Sequence, residues 1–243
     1  MWRSPPRTLC LNQAEAHLWR ANLDQDPANL EILARTLSLE EQEKAEKFYF
    51  PKHGKRYTAA RGFLRHILAK YLNIKPQEVA FSYGERGKPY LAKIITHNNL
   101  EFNLSHSEDV AVYGVTRNYA IGIDVENLRA MENLEQLVNR FYCPEEAEFI
   151  RQLAPEHKIK AFFRAWTAKE AYLKATGEGL AGGLDRVSVS LEPNQPLCLF
   201  ETQENSPDLT GWSFLALDVH PNFSATVAIA AKSCQLSYWQ ATL

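Results

Sequence analysis

No run of apolar residues in this chain approaches the roughly 18 needed to cross a bilayer. The opening Met1-Trp2-Arg3-Ser4-Pro5-Pro6 has no contiguous apolar stretch to serve as a signal peptide. The four cysteines, Cys10, Cys143, Cys198 and Cys234, stand far apart with no Cys-x-x-Cys pair, which argues against a thiolate zinc site and a dense disulfide framework. Net charge is nearly missing, with 29 acids against 27 bases, and a pI near 6.4 is low for a domain that grips long polyanions. Together these absences predict a cytoplasmic protein without a membrane or nucleic-acid partner. What is present is ample core material: 243 residues, 45% of them hydrophobic, enough for one to two domains that need no covalent staples.

The near-zero net charge hides a segregation. Residues 47–75 hold Lys47, Lys52, Lys55, Arg56, Arg61, Arg65, Lys70 and Lys75 and no acid, whereas 101–148 carry ten acids against Arg117, Arg129 and Arg140. A small polyanion or an acidic protein partner suits such a basic segment, although most of its lysines read as the solvated face of a helix.

The chain reads as two halves built alike. In the first, Ser38 with Glu41 three residues on forms a capping-box helix start. Residues 56–72 then carry Ala60, Phe63, Leu64, Ile67, Leu68, Tyr71 and Leu72 at helical spacing, and short strands are predicted at 79–83, 101–104, 110–116 and 119–125. In the second, a helix opens around Pro144, a long helix covers 159–175 and ends at Gly177, and strands follow at 187–191, 212–219 and 225–231. The expected architecture is α+β, a pseudo-dimer of two similar halves at 1–118 and 119–243, each with a long helix packed on a small, mainly antiparallel sheet.

Four constellations carry chemistry. In Gly122-Ile-Asp124-Val-Glu126, strand alternation puts both acids on one face, with Gly122 on that face leaving room for a ligand. Two like charges roughly 7 Å apart along a strand repel unless something positive sits between them, and an all-oxygen donor set favours Mg²⁺. In the helix 159–175, Ile159, Phe162, Phe163, Trp166 and Leu173 fall on one face. Glu170 falls inside that apolar stripe and needs a partner, and Lys169 and Lys174 flank it as cations framing an anion would. Asn103-Leu-Ser105-His106-Ser107 and Gly84-Glu-Arg-Gly87-Lys88-Pro89 offer hydroxyl, imidazole and lysine groups on turns beside glycines, which suits phosphate. Ser105 and His106 are adjacent on extended chain and point apart, so they make a poor catalytic dyad.

Gly87-Lys88-Pro89, Phe102-Asn-Leu-Ser105-His106-Ser107, Gly122-Ile-Asp124-Val-Glu126 and Trp166-x-x-Lys169-Glu170-x-x-x-Lys174 with Gly177-x-Gly179-Leu180 behind it closely resemble, in order and spacing, the Sfp-type 4′-phosphopantetheinyl transferases. The resemblance spans about residues 38–191. It implies a monomer of two similar α+β halves with the active site between them, coenzyme A as donor, and a serine of an apo acyl or peptidyl carrier protein as acceptor. It makes Asp124, Glu126 and Glu170 the Mg²⁺ ligands, Glu170 also the base for that serine, and Lys174 the cation that neutralises the departing 3′,5′-ADP. Ser105 and His106 are implied to hold the 3′-phosphate and Lys88 and Pro89 to line the adenine and phosphate end. Arg56 and Lys44 stand where the family often has cationic coenzyme A contacts, and Lys169 is either a phosphate contact or structural. On this reading the halves divide the work, nucleotide-end contacts in 1–118 and the carboxylates with the catalytic helix in 119–243. Acidic carrier proteins would be steered by 47–75 or by residues near Arg140 and Arg151. A Mg²⁺-dependent nucleotide phosphohydrolase and a non-catalytic carrier-protein binding module are the alternative functions.

Overall fold

The structure, a computed structural model, describes residues 1–92, 99–179, 183–191, 197–201 and 209–243; Leu180 of the last motif lies outside them. In chain order the elements are β1 (Glu15–Asn22), α1 (Pro27–Ala34), α2 (Leu39–Glu46), α3 (Pro51–Leu72), β2 (Phe81–Tyr83), β3 (Pro89–Leu91), β4 (Leu100–Ser107), β5 (Val110–Arg117) and β6 (Ile121–Asn127). Then follow α4 (Leu134–Phe141), α5 (Pro144–Gln152), α6 (Pro155–Thr176), β7 (Val187–Val189), β8 (Leu199–Glu201), β9 (Ser213–Ala216), β10 (Phe223–Ile229) and β11 (Gln235–Gln240). They form two units, Met1–Asn118 with Gln235–Leu243, and Tyr119–Cys234.

Local chemistry sets the helix limits. The Ser38 hydroxyl accepts from the Glu41 amide at 3.3 Å while the Glu41 carboxylate accepts from the Ser38 amide at 3.0 Å, the reciprocal cap expected for α2. Both α3 and α6 run 22 residues and open on a proline, whose ring presets the first turn. Each closes on a left-handed residue, Asn73 at φ 55° and Gly177 at φ 81°. Helix α6 starts a turn before its apolar pattern because Pro155 can open it.

The first unit holds a four-stranded sheet in the order β11-β1-β5-β4, the second a three-stranded antiparallel sheet in the order β6-β10-β9. Setting β11 aside, the two repeat one plan: an opening strand, then helices of which the last is long, then strands that pair antiparallel with the first. The repeat therefore begins on a strand rather than a helix. β1 was not anticipated, and β6, read among the strands that follow the first helices, opens the second unit. The other departure is β11. Residues 235–243 were assigned to the second half, yet Gln235–Gln240 run parallel to β1, Glu15 opposite Gln235 through Arg20 opposite Gln240. Trp239 packs there against Trp19 and His17.

In the first core α3 lays Phe63, Leu64, Ile67 and Leu68 against Trp19, Tyr113 and Val115, and the Tyr113 hydroxyl donates to the Ala60 carbonyl at 3.0 Å. In the second, Phe162, Phe163, Tyr172 and Leu173 of α6 pack with Tyr142, Val187 and Val189. Among the described residues no helix is long and apolar enough to cross a membrane.

Candidate functional site

In the second unit β6 pairs with β10 so that Asp124 faces Thr226 and Glu126 faces Ser224. Helix α6 lies on this pair, and Thr167 Oγ1 reaches Thr226 Oγ1 at 3.0 Å and Ser224 Oγ at 3.2 Å. Gly122 is what admits the helix: a methyl there would collide with the Ala171 carbonyl oxygen and the Ala175 amide nitrogen. The glycine serves helix–strand approach, not ligand space as the sequence suggested, because α6 fills the volume above it.

That approach brings carboxylates from two elements together. Lys174 Nζ donates to Oδ1 of the buried Asp124 at 2.6 Å. One turn earlier, Glu170 is half-buried, and its Oε1 is buried with no hydrogen-bond partner among the described residues. Burial, then the Asp124 charge, push the Glu170 carboxyl up to about 7; Lys174 pulls it down and Glu126 adds a smaller upward push. Glu126 is also half-buried, with Arg129 Nη1 3.5 Å from its Oε2. Among the described residues no three His, Cys, Asp or Glu side chains close on one point as a metal cluster does. The donor chemistry nevertheless fits a hard divalent cation: only oxygens, one of them orphaned, on carboxylates that repel one another.

Helix α6 departs from its helical wheel in the burial of two neighbouring residues, Lys169 and Glu170. Trp166, Glu170 and Lys174 are all partly exposed, while Lys169 is fully buried. Ile159, Phe162, Phe163, Trp166 and Leu173 do pack in the second core. The sheet, however, meets α6 on its Thr167, Ala171 and Ala175 side and α5 meets it at Lys169, so Lys169 is buried and Glu170 is left at an edge. Lys169 Nζ donates to Glu146 Oε2 at 2.6 Å and lies 4.7 Å from the centre of the Tyr142 ring. Glu146 in turn accepts from the Cys143 and Val189 amides at 2.9 and 2.7 Å. Lys169 is thus held in a buried ion pair with Glu146 of α5, the structural role that was one of its two expected ones.

In the first unit Asn103–Ser107 is strand, not turn, since it completes the β4–β5 ladder with Ser105 opposite Val112 and His106 opposite Ala111. Ser105 is buried and His106 exposed, pointing apart as expected of neighbours on a strand. Arg56 is drawn to the end of this hairpin: its Nη1 donates to Glu108 Oε2 at 2.8 Å, and Nε and Nη2 donate to the Asp24 carboxylate at 2.7 and 2.9 Å. Asp24 and Glu108 were missed by sequence reasoning, and only the one acid just past the Ser-His-Ser motif gave any signal. Lys88 and Pro89 sit on the β2–β3 hairpin, whose turn holds Gly87 at φ 78°. Burial lowers the Lys88 ammonium and the nearby Glu101 carboxylate offsets part of that. Lys44 is exposed, 5.4 Å from the centre of the Tyr57 ring. The basic segment is also less free than its sequence implies. Arg61 and Arg65 are buried on the carboxylate of Glu41, so its exposed charge rests on Lys47, Lys52, Lys55, Lys70 and Lys75.

Comparison with known proteins matches both units. Residues 19–117 fit the family model "4'-phosphopantetheinyl transferase, N-terminal" and residues 120–230 that of the "4'-phosphopantetheinyl transferase superfamily". The chain is 45% identical to 4'-phosphopantetheinyl transferase HetI of Nostoc sp. over 98% of its own length and 97% of that protein. It is 32% identical to a putative 4'-phosphopantetheinyl transferase of Synechocystis sp., covering 84% of this chain and 78% of the relative. It is 30% identical to a 4'-phosphopantetheinyl transferase of Bacillus subtilis, covering 64% and 67%. A strand-borne Asp-x-Glu under a helix carrying Lys-Glu-x-x-x-Lys thus occurs in a chain that belongs to the 4′-phosphopantetheinyl transferase superfamily.

Proposed function

We propose that this enzyme transfers the 4′-phosphopantetheine group of coenzyme A to a serine of an apo acyl or peptidyl carrier protein, releasing 3′,5′-ADP, in a Mg²⁺-dependent reaction. The observation that carries the reading is Glu170: a carboxyl raised to about 7 beside Asp124, Glu126 and Lys174. At neutral pH such a group is divided between its acid and base forms, the condition under which a carboxylate takes a proton from a serine hydroxyl most effectively.

Asp124, Glu126 and Glu170 would hold Mg²⁺, which when bound supplies positive charge for the pyrophosphate of the donor. Lys174, now on Asp124, neutralises charge on the departing 3′,5′-ADP. Arg56, Lys44, Lys88, Pro89, Ser105 and His106 of the first unit hold the nucleotide end, and Arg56 does so by exchanging the carboxylates of Asp24 and Glu108 for phosphate oxygens. Lys47, Lys52 and Lys55 steer the acidic acceptor. The enzyme works as a monomer in the reducing cytoplasm, a setting that its four free cysteines support.

The test is the intact mass of an apo carrier protein incubated with coenzyme A, Mg²⁺ and the enzyme. A gain of about 340 Da on a serine, absent with Glu170→Ala, is expected. Release of 3′,5′-ADP from coenzyme A and Mg²⁺ without a carrier would instead mark a phosphohydrolase, and carrier binding without mass gain a binding module.

A further inference from the structure

Helix α6 rests on β6 and β10 along one line of its surface. Thr167, Ala171 and Ala175 follow one another at intervals of four, which puts them on one side of the helix. Thr167 meets Ser224 and Thr226, and the two alanines meet Gly122 and Ala228. Thr167 and Thr226 are 0% and 1% exposed, so their hydroxyls must find partners inside the protein. A threonine hydroxyl has one proton to give and two lone pairs to offer. Thr167 gives its proton to the Phe163 carbonyl at 2.9 Å, with the Arg164 carbonyl beside it at 3.3 Å, the bond a threonine commonly makes within a helix. Its oxygen is then the acceptor for both strand hydroxyls, Thr226 at 3.0 Å and Ser224 at 3.2 Å. Those two residues stand directly across the strand pair from Asp124 and Glu126. Side chains opposed in this way have Cβ atoms roughly 4.5–5.5 Å apart, within reach of a hydroxyl-to-carboxylate bond. Among the described residues neither hydroxyl turns that way, and each meets the side chain of Thr167 alone.

We propose that Thr167 is a positioning residue of the transfer site: by taking the protons of Thr226 and Ser224 it keeps those hydroxyls from turning the carboxylates of Asp124 and Glu126 down onto β10. The inference rests on the transferase reading and adds to it a residue outside the set of carboxylates and lysines. Without the Thr167 oxygen, Ser224, which is half-buried, can turn to water. Buried Thr226 cannot, and a hydroxyl left unpaired there is costly. The acceptor across the strand pair is Asp124, which would then be drawn away from Lys174 and Glu170. Neighbours of this kind set the orientation of a ligating carboxylate, so the loss falls on the cation that the three acids hold.

The test is calorimetric titration of Mg²⁺ into the full chain with coenzyme A bound and no carrier protein, beside the carrier-protein mass assay. Thr167→Val, close in shape and without the oxygen, should bind Mg²⁺ about tenfold more weakly, with transfer slowed at limiting Mg²⁺ and coenzyme A affinity in the absence of Mg²⁺ unchanged. Thr167→Ser restores the oxygen and should restore binding. Thr226→Val should bind as the wild type does. Thr167→Val combined with Thr226→Val should recover most of the lost affinity, because the stray hydroxyl is gone; a merely structural Thr167 would leave the double variant no better than the single one. Urea midpoints show that each variant is folded, and Thr167→Ala takes the place of Thr167→Val should the valine variant not fold. Unchanged Mg²⁺ affinity in Thr167→Val, no recovery in the double variant, or no Mg²⁺ binding by the wild type would overturn the proposal. A wild type that binds Mg²⁺ but adds no mass to a carrier protein would instead overturn the transferase reading, and the Mg²⁺ affinities of the variants would still decide the role of Thr167.

Discussion

Glu170 and Lys169 are neighbours in sequence and opposites in role. The carboxyl of Glu170 is raised from 4.5 to about 7, so the folded protein binds more protons than the unfolded chain between those pH values and loses stability as pH rises through them. Glu170→Gln removes that loss. In metal-free protein its melting temperature should match the wild type below pH 4.5 and exceed it by a few degrees above pH 7, while transfer falls by about 10²-fold or more; melts at both pH values and a carrier-protein rate check the pair. Lys169→Met should do the reverse. It strands the buried carboxylate of Glu146 and costs about 3–5 kcal/mol, seen as a lower urea midpoint, with coenzyme A affinity per folded molecule unchanged. Spacing alone could not separate these two residues. A heptad-scale wheel locates a stripe but not which neighbour covers it, and α5 covers Lys169.

At the scale of elements the site rests on the contact of α6 with β6. Gly122→Ala drives a methyl into the helix backbone at Ala171 and Ala175, and overpacking of this kind costs about 1–3 kcal/mol. Because Asp124 and Glu170 sit on the two parts being pushed apart, Gly122→Ala should also cut transfer. Raising Mg²⁺ should restore more of the rate than it does in the wild type, and a Mg²⁺ titration of activity measures this. The four motifs were legible because each is local. The helix starts at Ser38 and Pro144, and the helix stop at Gly177, follow from capping chemistry that neighbouring residues settle among themselves. Features that depend on distant partners were not legible: the Ser-His-Ser segment reads as a turn until β5 supplies its ladder, and Arg61 and Arg65 count only as members of a basic segment until Glu41 pairs with them, as Asp24 and Glu108 do with Arg56.

At the scale of the whole molecule, β11 makes the first unit depend on the last residues of the chain. Its inner face closes over a polar cluster in which the Trp19 indole donates to the Tyr71 hydroxyl at 2.9 Å and that hydroxyl meets His17 Nδ1 at 2.8 Å. With its own proton left to give, the hydroxyl donates to an unprotonated Nδ1. Burial lowers the His17 pKa below 6.5, so the unfolded chain takes up the proton first and stability is lost as pH falls from about 6.5 through the folded value. His17→Asn, which can still accept from Tyr71, should flatten the acid limb of the stability curve between pH 6.5 and 5 in urea melts, at some cost in stability at pH 8.

The residue order alone determined the α+β class, the two long helices with their C-terminal ends, the duplication and the family, because periodicity, caps and short motifs are written over distances of a few residues. Tertiary structure decided which strand opens each repeat, that β11 returns to β1, that Gly122 admits a helix, and that Lys169 is buried while Glu170 keeps an orphaned oxygen. Each of these turns on a partner tens to hundreds of residues away, and burial, charge pairing and pKa take their values only when that partner is in place.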